Sequence, residues 1–132
     1  MARAQRFEDL VAWQKSRALS KGIFELTKSE PLARRHRLTS QIESAAVSVM
    51  SNIAEGFERD GPTEFMRFLT IAKASCGEVR SLLYVLLDAE LLSAEEFARL
   101  KRQTEEVSRI IAGLHSSIQR SPKERGQETG SK

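Results

Sequence analysis

Between Phe65 and Leu86 an apolar side chain recurs at steps of three and four: Phe65, Phe68, Leu69, Ala72, Cys76, Val79, Leu83 and Leu86. This spacing stacks side chains on one face of an α-helix and would scatter them over both faces of a strand. It therefore predicts a long amphipathic helix, reaching about Ala89, that must bury its stripe against other elements.

Three further segments supply partners. Phe7 to about Lys28 contains no proline and carries Val11, Ala18, Leu19, Gly22, Ile23 and Leu26 at helical spacing. Taking 100° per residue, this core stripe centres near Val11 and Ala18. Ser29-Glu30-Pro31 breaks this helix, because proline lacks an amide hydrogen and disfavours helix in the residue before it. Leu38, Ile42, Ala45, Val49 and Asn52-Ile53 give a second helix ending near Gly56-Phe57, with Arg59-Asp60-Gly61-Pro62 as the turn into the third. Ser93-Ala94-Glu95-Glu96 is a capping box that starts a fourth. From there Phe97, Leu100, Thr104, Val107, Ile111, Leu114 and Ile118 form a heptad-like seam. Four amphipathic helices with short connections predict an all-α, up-and-down antiparallel four-helix bundle. Its expected limits are residues 7–120. Residues 1–6 form a flexible N-terminus, and 121–132, which hold no large apolar residue, form a disordered C-terminal tail.

The chain has 132 residues, the size of one domain. No apolar run approaches the roughly 20 residues of a membrane span, and the first residues lack the apolar core of a secretory signal, so a cytoplasmic location is expected. The single cysteine, Cys76, cannot form an internal disulfide and is read as a packing residue. A net charge of +3, from 21 basic and 18 acidic residues, permits a nucleic-acid partner without demanding one.

The sequence carries no catalytic signature. Neither His36 nor His115 has a carboxylate three residues before it, and one cysteine with two scattered histidines cannot make a zinc quartet, so neither metal nor cofactor is expected. No nucleophile elbow, P-loop or dinucleotide fingerprint is present. An enzyme would need inward-facing carboxylates among Glu55, Glu78 and Asp88; the alternative is that these cap or pair between helices.

Two basic groups stand out. Arg6, Trp13, Arg17, Lys21, Phe24 and Lys28 recur at seven, four, seven and four residues, with Lys21 between, making an aromatic and basic stripe opposite the expected core of helix one. The stripe suits a subunit interface with aromatic anchors and a cationic rim. It equally suits a nucleic-acid face in which cations meet phosphates and rings stack on unpaired bases. Arg34, Arg35 and Arg37 flank His36 at the start of helix two, where cations oppose the helix dipole, and they read as either a solvated loop end or a meeting point for an anionic partner.

Leu38-Thr39-Ser40-Gln41, Ala45-Ala46-Val47-Ser48-Val49 and Ser51-Asn52-Ile53-Ala54-Glu55-Gly56-Phe57 together resemble the 23S rRNA intervening-sequence proteins. The resemblance extends to Phe7-x-x-Leu10-x-x-Trp13-Gln14, to Glu64-Phe65-x-x-Phe68-Leu69-x-x-Ala72 and to Ser75-x-x-Glu78, covering about residues 7 to 118. It implies a cyclic homo-oligomer, a pentamer, of up-and-down four-helix bundles from bacteria, with genes often lying inside extra segments of 23S rRNA. Relatives of similar shape serve beside reverse transcriptases, and nucleic-acid binding is the usual suggestion for the family. Glu43-Ser44 and Lys73-Ala74 carry less positive charge than the family pattern, leaving helix one and the tails as the stronger basic candidates. Asn52, Glu55, Gly56, Ser75 and Glu78 read as structural: Gly56 as a left-handed residue closing helix two, the others as hydrogen-bonding groups between helices. The expected function is thus a non-enzymatic, self-associating binding or scaffold protein with RNA or a nucleic-acid enzyme as partner. The alternative is a purely structural assembly subunit.

Overall fold

The computed structural model describes the backbone of residues 4–129 and the side chains of residues 4–120. A 3-10 turn, Phe7–Asp9, leads into α1 (Val11–Thr27); a second, Leu32–Arg34, leads into α2 (His36–Glu58), followed by α3 (Pro62–Asp88) and α4 (Ala94–Thr129). Each helix packs against its sequence neighbours, and α4 closes the ring against α1. This is the up-and-down four-helix bundle that the apolar periodicity predicts.

The junctions follow from local chemistry. Leu10 is extended (φ −75°, ψ 127°), which separates the 3-10 turn from α1 where the sequence suggested one helix from Phe7. Gly61 takes φ +86° and Pro62 opens α3, so the α2–α3 turn uses a residue free of Cβ strain and one that needs no amide partner. After α3 the left-handed residue is Glu90, φ +60°, and the Leu91 amide donates to the Leu86 carbonyl at 2.9 Å, a Schellman closure made without glycine. The Ser93 capping box forms as read: the Glu96 amide donates to Ser93 Oγ and the Ser93 amide to Glu96 Oε1, each at 3.0 Å.

The core contains Leu19, Ile23, Ile42, Val49, Ile53, Leu69, Val79, Leu83, Leu100 and Ile111, all fully buried. In α1 its centre differs from the sequence reading. Val11 is 54% exposed and Ala18 is also exposed, while Ala12, Ser16, Leu19, Ser20, Ile23, Leu26 and Thr27 face inward. Apolar residues alone misplace the stripe because hydroxyl residues occupy part of it. Ser16 Oγ donates to the Ala12 carbonyl at 2.6 Å, and Thr27 Oγ1 donates to Glu43 at 2.6 Å, so these groups are buried without losing hydrogen bonds.

At the other end, α4 continues through Thr129 rather than ending at Arg120. The helical backbone runs beyond the last apolar seam residue and past Pro122 and Gly126, which sequence propensity alone would not predict. The remainder of the expected tail, 130–132, and residues 1–3 of the expected flexible N-terminus lie outside the described residues. Among the described residues no helix is long and apolar enough to cross a membrane.

Candidate functional site

The helix-one stripe divides in three dimensions. Arg17, Lys21, Phe24 and Lys28 share the exposed face of α1. Arg6 is not on that helix; it precedes the 3-10 turn, where its amide donates to Asp9 Oδ2 at 3.3 Å and its guanidinium stands 3.9 Å from Asp9 Oδ1. Trp13 is half-buried, packs edge-on against Phe7 with centroids 5.1 Å apart, and abuts the core. The shifted core accounts for this: Trp13 stands about 100° from Ala12, at the margin of the buried face. Its accessible side lies under Arg17, whose guanidinium carbon is 5.8 Å from the ring centroid. Phe24 is therefore the exposed aromatic of the stripe, at 41%.

Phe24 faces α2 across a groove whose walls include Ser40, Ser44, Val47 and Ser51, with Glu43 at its edge. Val47 is 42% exposed. Ser40, Ser44, Val47 and Ser51 repeat at four, three and four residues, a seam of small side chains that would let another helix approach closely.

The basic cluster before α2 is also split. Arg34 pairs with Glu30 at 3.0 Å, whereas Arg35 and Arg37 are exposed and make no ion pair among the described residues.

Of the residues shared with the family pattern, Asn52, Gly56 and Ser75 lie along the α2–α3 contact, whereas Glu55 and Glu78 lie on the surface. Asn52 Nδ2 donates to the Ser48 carbonyl at 2.8 Å and to Ser48 Oγ at 3.0 Å, and Ser48 Oγ bonds Ser75 Oγ at 2.9 Å across the α2–α3 interface. Gly56 does not close α2 in a left-handed conformation, because the helix runs two residues further. A Cβ there would lie 2.6 Å from Phe68 Cβ, so glycine is required for the close approach of α2 and α3. Phe68 in turn carries the guanidinium carbons of Arg59 and Arg67 at 5.0 and 4.7 Å from its ring centroid. Glu55 is exposed and pairs with Arg59 at 2.8 Å; Glu78 and Asp88 are exposed too. Among residues 4–120 no carboxylate is buried. Glu55, Glu78 and Asp88 thus lie on the surface of the bundle rather than facing inward.

A third feature escapes the sequence reading because it joins two helices. Lys73, Gly77 and Arg80 of α3 line a crevice with Thr104 and Ser108 of α4, and Lys73 also lines the adjoining depression beside Ile111 and His115. At one end, Tyr84 is 46% exposed and meets Phe97 edge-on with centroids 4.8 Å apart. Lys101 donates to Glu105 at 2.9 Å, holding that carboxyl below its usual range, and the charges of Arg80 and Arg109 act in the same direction. Lys101, Arg80 and Arg109 thus surround the Glu105 carboxylate, and Lys73 lies with Arg80 on the wall of the crevice. The signal was present as Lys73, Arg80 and Tyr84 at steps of seven and four, but the α4 residues that complete the groove are remote in sequence.

The fold and these faces define a helical bundle whose distinctive chemistry lies on its outer surfaces. Residues 8–113 match the 23S rRNA-intervening sequence protein family, and the chain belongs to that family. Among curated proteins none matches. One similar solved structure is a protein of unknown function from the S23 ribosomal protein family of Bacteroides thetaiotaomicron VPI-5482. It has a TM-score of 0.74 at 21% identity and covers 80% of this chain and 96% of that one, a likeness of fold.

Proposed function

We propose that the chain is a non-enzymatic subunit of a homo-oligomer, a pentamer, that acts in the cytoplasm as a binding or scaffold protein for structured RNA or for an enzyme that handles nucleic acid. The observation that carries self-association is the pair Phe24 and Val47, 41% and 42% exposed across a serine-lined groove between α1 and α2. An aromatic ring beside a seam of small residues gives a second copy an anchor and room for its backbone. The Lys21 and Lys28 side chains beside Phe24 supply a polar rim.

The RNA reading is supported by the basic surface outside that groove and by membership of a family whose description refers to 23S rRNA. Sedimentation velocity tests the interface. Phe24→Glu combined with Val47→Glu should convert the assembly to monomers while leaving helical content unchanged, because both side chains are exposed in the isolated bundle. An unchanged sedimentation coefficient would move the interface away from α1 and α2 and favour a different contact face.

A further inference from the structure

Two glycines lie in mid-helix where the bundle has no use for them. A Cβ added to Gly77 or Gly113 would meet nothing within 4 Å, so neither permits an internal close approach as Gly56 does. An exposed mid-helix glycine destabilises its helix relative to alanine. Gly77 lies on the wall of the α3–α4 groove, with Lys73 four residues before it and Arg80 three after. From Lys73 to Arg80 is about 10 Å along the axis at 1.5 Å per residue, and the exposed Tyr84 ring stands one turn further on. The groove thus combines a run of cations, a point where a ligand can reach backbone, and an accessible aromatic ring.

We propose that the α3–α4 groove is a track for single-stranded RNA, with phosphates on Lys73, Arg80 and Arg109, the strand closest to the protein over Gly77, and one base on the Tyr84 ring. The cations neutralise a polyanion, and the ring accepts any unpaired base regardless of sequence. An acidic peptide would use the same cations but would leave Tyr84 without a role. The proposal deepens the RNA reading above and rests on it, and it assigns the RNA to α3 and α4 rather than to the basic face of α1.

Fluorescence anisotropy with a short labelled oligouridylate and the full-length protein tests this. Three phosphate contacts on a single strand predict a slope of log affinity against log salt of about −2. Lys73→Glu with Arg80→Glu should weaken binding by about tenfold or more and bring that slope below about −1 in magnitude. Tyr84→Ala should cost about tenfold from lost stacking. Gly77→Gln should weaken binding while raising the thermal midpoint, since the side chain fills the track and improves helix propensity, a pairing that a folding defect cannot produce. Arg17→Glu on α1, an exposed residue outside the proposed subunit contact, should bind like wild type. If the α1 variant loses binding and the groove variants keep it, the groove assignment is overturned while the RNA reading stands. If wild-type protein binds neither oligouridylate nor folded RNA, both are overturned. Binding of labelled polyglutamate with no binding of RNA would instead assign the groove to an acidic protein and overturn the proposal.

Discussion

Gly56 and Gly77 look alike in the sequence and have opposite roles. At Gly56 an added methyl would lie 2.6 Å from Phe68 Cβ, so Gly56→Ala forces α2 and α3 apart and should cost about 1–3 kcal/mol, read as a lower thermal midpoint. Gly77→Ala meets open space and should raise the midpoint through helix propensity alone, by up to about 1 kcal/mol. The sequence showed that Gly56 was special but suggested the wrong reason, because the contact that excludes a side chain comes from α3. Cys76, read as a packing residue, is 1% exposed, and burial pushes its thiol up from 9.0 to about 11. The folded state therefore favours the protonated thiol. Its contribution is present below pH 9 and is lost as pH rises towards 11, by on the order of 2 kcal/mol. Chemical denaturation across that window should show a smaller alkaline loss in Cys76→Ala than in wild type.

At the scale of elements, helices were legible wherever burial is apolar. The α3 stripe lies on the core as read, with Phe65 at its half-buried edge, and the Ser93–Glu96 box starts α4. Ser93→Ala should cost about 1 kcal/mol, measurable by denaturant unfolding. Legibility failed in α1, where Ser16, Ser20 and Thr27 are buried and a purely apolar pattern places the core too near Val11 and Ala18. That error carried Trp13 to the surface, although the ring packs on Phe7 and the core. It failed again at the end of α4, where the helical backbone passes Arg120 without an apolar seam to announce it. Residues 121–132 contain no large apolar side chain, so deleting them should reduce the helical circular-dichroism signal yet leave the thermal midpoint unchanged. A drop of several degrees would mean that this segment docks on the bundle.

For the whole molecule, the bundle itself was readable because four amphipathic helices with short connections have few other ways to bury their stripes. Its outer faces were only half readable, since each candidate surface is assembled from two helices. Phe24 acquires meaning beside Val47, and Lys73 and Arg80 beside Lys101 and Arg109. The monomer leaves Phe24 and Val47 exposed between α1 and α2, and exposes Lys73, Arg80 and Arg109 on α3 and α4. That separation suits a ring in which α1 and α2 make the subunit contacts while α3 and α4 stay accessible. Multi-angle light scattering of the full-length protein at micromolar concentration tests this account most directly. It predicts one species of five times 14.8 kDa, about 74 kDa, and a particle of 14.8 kDa that persists as concentration rises would contradict it.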